Sequence, residues 1–228
     1  MAFLLEAYNG ILQRLAGSGT TLVAVSKTKP EADIMEAYGA GQRDFGENYV
    51  QELVGKQASL PEDIRWHFIG HLQKNKVKYI APFVHLVHGV DSISLLQEIQ
   101  KQGVKHNRII DCLLQVHIAS EETKFGFDDA ELDACIKIIQ ASPGSFDHVQ
   151  IRGLMGMASF SDDQLLLARE FNHLHALFQK YANLPVWNGR FTVLSMGMSS
   201  DYALAISCGS NMVRIGSLIF GEREKRTA

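Results

Sequence analysis

No run in this 228-residue chain approaches the ~18 consecutive apolar positions that a membrane-spanning helix requires. The opening stretch MAFLLEAYNGILQRLAG sets Glu6 and Arg14 at helical spacing and lacks the basic start and apolar middle of a signal peptide. Cysteine is sparse: Cys112, Cys135 and Cys208 are odd in number and widely spaced, which excludes a disulfide framework and a paired CxxC motif for zinc or redox work. A cytoplasmic protein with buried free thiols is expected. A cationic excess is also lacking. With a formal net charge of -3 and a pI near 6.3, neither nucleic acid nor an anionic membrane is an expected partner. The most basic stretches, QKNKVKY at 73–79 and EREKRTA at the end, read as a solvated helix face and a charged tail over 222–228. There is no low-complexity linker, so one domain over 1–228, as a monomer, is the expectation.

What the chain does have is enough apolar material for a sizeable core, 46% of its residues, arranged in alternating patterns. Strand-like runs begin at TLVAVSKT and recur as RDFGEN (43–48), RWHFIG (65–70), VHLVHGV (84–90), CLLQVHI (112–118), IRGLMGMA (151–158), FTVLSMG (191–197) and MVRIGS (212–217). Amphipathic stretches such as SLLQEIQKQ and DDQLLLAREFNHLHALFQKYA lie between them. Strict alternation of this kind demands right-handed crossovers and a parallel sheet, and eight units is the number that closes. The expected fold is therefore α/β: a single (β/α)8 TIM barrel with an extra N-terminal helix, residues 1–18, packed on its outside or base. An open doubly wound sheet is the alternative.

In a barrel of this order the strand-to-helix loops share one face, which brings Lys27, Glu47, Asn48, Gly70, Gly156, Gly197 and Gly216 together from distant parts of the sequence. Lys27 ends the first strand run, either as a solvated lysine or as an amine on a rigid mount. LSMGMSSD after the seventh strand offers Gly197 for close backbone approach and Ser199 or Ser200 as the N-cap of the following helix; RIGS adds a second glycine turn. Together these make an anion cradle, with two ordinary glycine turns as the alternative. In the eighth strand a period of two places Met212, Arg214 and Gly216 on one face and Val213 and Ile215 on the other, so Arg214 is expected to point into the barrel. Two inward cations beside an anion cradle suggest an anionic ligand bearing a carbonyl, with Lys27 as the nucleophile once partial burial and a neighbouring cation lower its pKa.

The segments AVSKTKP, FGENYVQE, WHFIGHLQKNK, RGLM, LSMGMSSD and MVRIGSLIFG, in this order and spacing, closely resemble the pyridoxal 5′-phosphate homeostasis proteins, the YggS/PROSC family, whose fold is similar to the barrel domain of alanine racemase. The resemblance runs from about residue 20 to 222. It implies pyridoxal 5′-phosphate as cofactor, held as an aldimine on Lys27. It further implies that Ser195, Gly197, Ser199, Gly216 and Ser217 belong to the phosphate-holding segments, that Arg214 faces the pyridine nitrogen, and that Asn48 lies beside the ring. Ser217 stands where the family often has threonine, and the hydroxyl is retained.

The implied role is a carrier or buffer of the cofactor, with apo pyridoxal-phosphate enzymes as partners and no catalytic residue; a racemase- or decarboxylase-like enzyme is the alternative. An arginine at the pyridine nitrogen keeps that nitrogen unprotonated and weakens the ring as an electron sink. A racemase also needs a second acid/base, which alanine racemase draws from a partner subunit with the help of a β domain not expected within 1–228. His67 reads as a satisfied core histidine or a rim residue, and Lys124 as a solvated loop lysine or a rim amine. None of the nine histidines, His85, His88, His173 and His175 included, falls into an HExxH pattern, so no metal is expected.

Overall fold

The protein is described here by a computed structural model that covers residues 3–121 and 125–222. Eight parallel strands close into a barrel in sequence order: β1 (Thr21–Val25), β2 (Asp44–Glu47), β3 (Arg65–Phe68), β4 (Leu86–Val90), β5 (Ile110–Val116), β6 (Val149–Gly156), β7 (Val193–Ser195) and β8 (Met212–Ile215). β8 returns to pair with β1, with Val23 opposite Arg214. The expected (β/α)8 barrel is present and the open sheet is excluded, because no strand edge is left unpaired.

Helices α1 (Leu5–Leu15), α2 (Glu31–Gly39), α3 (Val50–Ser59), α4 (Val77–Ile80), α5 (Ile93–His106), α6 (Asp129–Ala141), α7 (Gln164–Ala182), α8 (Tyr202–Ser207) and α9 (Ser217–Phe220) surround the strands. α1 has no strand of its own and packs outside the barrel against α9; the Leu4 amide donates to Ile219 O at 2.8 Å, and the Phe3 and Phe220 rings lie 6.0 Å apart. The stretch 74–80 forms a short 3-10 turn and α4, with Val77 and Ile80 buried and Lys74 and Lys78 exposed, as the solvated basic face requires. The charged tail lies almost wholly outside the described residues, as does Lys124.

Two apolar regions follow from the period of two along each strand. Outward residues such as Phe45, Phe68, Leu114, Val213 and Ile215 meet the helices, while Val23, Leu86, Leu113, Met155 and Met212 fill the barrel interior. All three cysteines are buried free thiols. No helix among the described residues is long and apolar enough to cross a membrane.

Candidate functional site

Lys27 stands two residues beyond the end of β1, half-buried, in a turn that the chain holds under strain. Thr28 follows it at φ 65°, a left-handed conformation that a β-branched side chain rarely adopts. Glu52 of α3 captures the Thr28 amide at 2.6 Å. Lys56, one helical turn on, binds Glu52 at 2.6 Å, Glu47 at 2.8 Å and the Ser26 carbonyl at 2.8 Å, and the Ser26 hydroxyl donates to Glu47 at 2.6 Å. Burial pushes the Glu47 carboxyl up despite the attraction of Lys56. A buried charge cluster thus clamps the turn that carries Lys27.

Arg214 points into the barrel as its strand position predicts. It is buried, and its Nη1 donates to Ser195 O at 2.9 Å and Ser195 Oγ at 2.7 Å, while Nη2 donates to Gly156 O at 3.0 Å. Burial lowers its pKa to about 10, against the pull of Asp201. Because Arg214 pairs with Val23, it sits deeper in the barrel than Lys27, which follows Val25 on the adjacent strand.

A cavity of about 480 Å³ opens at the C-terminal rim over these two cations. Lys27, Lys29 and Val25 line it from β1 and its loop, Asn48 and Ile69 from the loops after β2 and β3, and Met157 and Phe160 from the loop after β6. Met198, Ser199 and Ser200 contribute from the loop after β7, and Arg214, Gly216, Ser217 and Gly221 close the wall. Asn48 Oδ1 is buried without a hydrogen-bond partner among the described residues, which is what a wall awaiting a ligand donor presents. Lys29 is committed elsewhere: its Nζ donates to the carbonyls of Phe220, Gly221 and Glu222 at 2.5, 3.3 and 3.4 Å and so anchors the end of α9.

Of the residues singled out in the sequence, the fold brings Lys27, Asn48, Ser199, Arg214, Gly216 and Ser217 to this one cavity. Ser195 and Gly197 do not line it. Ser195 faces the barrel interior beneath Arg214, fully buried, with its hydroxyl between Arg214 and His88. Gly197 has φ 96°, and a Cβ there would lie 2.6 Å from Ala205 Cβ, so its glycine serves the close packing of the loop on α8. The loop after β7 differs from expectation in a second way. Neither Ser199 nor Ser200 caps α8; Asp201 holds that position, and its carboxylate accepts from the Met198 amide at 2.6 Å. Ser199 Oγ instead accepts from the Gly216 amide at 3.3 Å, tying the loops after β7 and β8 together.

His67 is a satisfied core histidine. Its Nε2 lies 3.0 Å from Asp44 Oδ1 and its Nδ1 2.9 Å from His88 Nε2. Asp44, His67 and His85 bring potential metal-ligand atoms within 4.8 Å of one another, yet both Asp44 oxygens are already taken by Arg65, at 2.7 and 2.5 Å. Sequence reasoning passed over Asp44, Glu52 and Lys56, and the apolar wall of Ile69, Met157, Phe160 and Met198. The four-residue spacing of Glu52 and Lys56 on α3 was the available signal for the clamp.

Residues 6–224 match the family model of the alanine racemase N-terminal domain. The pyridoxal phosphate homeostasis protein of Pasteurella multocida is 40% identical over 213 residues, covering 91% of this chain and 88% of that protein. The human protein of the same name is 40% identical over 223 residues, covering 89% and 76%. Among solved structures, PipY of Synechococcus elongatus PCC7942 superposes with a TM-score of 0.87 without pyridoxal phosphate and 0.83 with it bound. It is 37% identical, and the match covers 95% of this chain and 99% of PipY. Alanine racemase of Bartonella henselae, at 20% identity and a TM-score of 0.71 over 97% of this chain and 63% of its own, shares the fold.

Proposed function

The chain belongs to the pyridoxal phosphate homeostasis proteins, and from that premise we propose that it binds pyridoxal 5′-phosphate in the rim cavity, as a Schiff base with Lys27, and acts as a carrier and buffer of the cofactor. The observation that carries this reading is that one cavity wall holds an amine, a buried guanidinium and a pair of linked serine–glycine loops. The Lys27 amine condenses with the aldehyde, forming a C=N bond and releasing water. Arg214, with two of its nitrogens fixed from below, presents its remaining edge to the ring nitrogen. Ser199, Gly216 and Ser217 receive the phosphate, and Asn48 Oδ1 accepts from a donor beside the ring. Ser195 takes no phosphate contact in this reading; it supports Arg214.

The cavity favours holding over turnover. Among the described residues that line it, the titratable side chains are Lys27, Lys29 and Arg214. Lys29 is occupied by three carbonyls, and Arg214 has no acceptor and keeps its proton. Racemisation needs a second acid/base facing the substrate carbon, and the described residues of this wall supply none.

Borohydride reduction of the loaded protein followed by peptide mapping tests the reading. A pyridoxyl mass on Lys27 is expected; label confined to other lysines overturns it. Pyridoxal without its phosphate is expected to bind far more weakly, since each charge-assisted hydrogen bond lost is worth ~1.5–3 kcal/mol before desolvation.

A further inference from the structure

The barrel interior carries a polar chain that the proposed function does not use. It runs from Asp44, at the start of β2 on the N-terminal face, through His67 on β3 and His88 on β4 to Ser195 on β7 and Arg214 on β8. The links are Asp44 Oδ1 to His67 Nε2 at 3.0 Å, His67 Nδ1 to His88 Nε2 at 2.9 Å, His88 Nδ1 to Ser195 Oγ at 3.2 Å and Ser195 Oγ to Arg214 Nη1 at 2.7 Å. His67, His88 and Ser195 are at most 1% exposed, so water cannot replace a missing partner. Polar side chains crossing a barrel whose apolar interior is built from Val23, Leu86, Leu113, Met155 and Met212 require a reason.

The two ends of the chain fix its direction. Arg214 can only donate, and the Asp44 carboxylate, held by Arg65 on both oxygens, can only accept. Ser195 Oγ accepts from Arg214, so its single proton is free to go to His88 Nδ1. His88 then donates from Nε2 to His67 Nδ1, and His67 donates from Nε2 to Asp44. In this arrangement the Ser195 hydroxyl proton and both imidazole N–H groups each have an acceptor. In the reverse direction a neutral His67 would turn an unprotonated Nε2 on the Asp44 carboxylate, and the Ser195 proton would lack a partner among the bonds described. Burial above all, with the charge of Arg214 beside it, pushes the pKa of His88 well below its ordinary value, in keeping with a neutral ring.

We propose that Ser195, His88 and His67 are positioning residues that couple Asp44, on the N-terminal face, to Arg214 at the rim cavity, through a one-way hydrogen-bond chain in which both imidazoles are neutral and carry their proton on Nε2. The carboxylate sets the direction, the direction commits the Ser195 proton to His88 so that only lone pairs are left to face Arg214, and the Ser195 and Gly156 acceptors hold the guanidinium. The chain stands on the geometry alone; that its upper end acts on a pyridine nitrogen rests on the function proposed above.

Two measurements separate these layers. In cofactor-free protein labelled with ¹⁵N-histidine, long-range ¹H–¹⁵N correlation is expected to show His67 and His88 as neutral Nε2–H tautomers. A proton on Nδ1 of either ring in the wild type overturns the chain. In Asp44→Asn the amide can offer His67 an N–H as well as an oxygen, so Nδ1–H signals are expected to appear at His67 and His88 together; a change at His67 alone overturns the coupling. In protein loaded with pyridoxal phosphate, Asp44→Asn is expected to shift the visible absorption band, whereas Asp111→Asn, which removes a carboxylate of the same face bound to Arg152 instead, leaves it in place. An unmoved band in Asp44→Asn, or an equal shift in both variants, overturns the link to the cavity. Failure of the wild type to take up pyridoxal phosphate refutes the proposed function and leaves the histidine result to decide the chain.

Discussion

Arg214 and Ser195 are joined twice across the β7–β8 pair: one guanidinium nitrogen, Nη1, meets both the carbonyl oxygen of Ser195 at 2.9 Å and its hydroxyl at 2.7 Å. The backbone repeats the link one step along, where the Arg214 amide donates to Gly197 O at 3.0 Å. A guanidinium is thereby bolted to the strand beside it, beneath a cavity that its outer edge lines.

Ser195→Ala removes one of the two acceptors of Nη1 and leaves the carbonyl. A buried charged donor that loses one partner costs ~1–3 kcal/mol, visible in denaturant unfolding. If Ser195 serves Arg214 and not the phosphate, the variant weakens pyridoxal and pyridoxal phosphate by the same factor. A selective loss for the phosphorylated form places Ser195 at the phosphate instead.

Lys56→Met leaves Glu47 buried and without its cationic partner, and a loss of ~3–5 kcal/mol in unfolding free energy is expected. Glu47→Gln introduced alongside should recover part of that loss, because the remaining group no longer carries charge. Additive effects in this double-mutant cycle show that the two side chains do not act as a unit.

Stability is expected to fall as the pH drops below ~6.5, the ordinary histidine value. Burial, with the charge of Arg214, holds His88 well below that value, and burial lowers His85 to about 4. A depressed histidine gives stability that is complete above the unfolded pKa and is lost on acidification, because the unfolded chain takes up a proton that the folded chain refuses. The fully buried His88 sets a slope of up to ~1.4 kcal/mol per pH unit, and the more exposed His85 is screened and adds less. Asp44 enters later: burial works to raise it, but bonds from Arg65 and His67 win, so its contribution persists above ~4 and fades only below. Denaturant unfolding at pH 7, 6 and 5 checks the slope, and a flat profile contradicts a buried His88 that stays neutral.

Loaded protein mixed with an apo pyridoxal-phosphate enzyme is expected to restore that enzyme's activity, faster when a free amine is present to exchange with Lys27. The protein alone is expected to show no racemisation, decarboxylation or transamination of common amino acids. Turnover at ~1 s⁻¹ or more, abolished by Lys27→Ala, makes the chain an enzyme and the carrier reading wrong.

The sequence by itself determined the barrel and most of its rim. Eight strand runs with helices between them allow one closed parallel arrangement, and a period of two in MVRIGS is enough to turn Arg214 inward, since Val213 and Ile215 must meet the helices. The positions of Lys27, Asn48, Ser199, Gly216 and Ser217 on one cavity follow from that topology, because a barrel collects the C-terminal ends of its strands on one face. What the tertiary structure decided was depth and partnership. Ser195 and Ser199 lie four residues apart in one motif, yet one is buried under Arg214 and the other lines the cavity, because β7 ends between them. Asp201 rather than a serine takes the N-cap position of α8, with its carboxylate bound to the preceding Met198 amide and not to the first turn of the helix. The chain from Asp44 to Arg214, and the clamp of Lys56 on Glu47, join residues whose partners stand on other strands or helices. Local pattern records which way a side chain faces; which polar atoms meet in the interior is settled only when the barrel closes and each must find a partner in place of water.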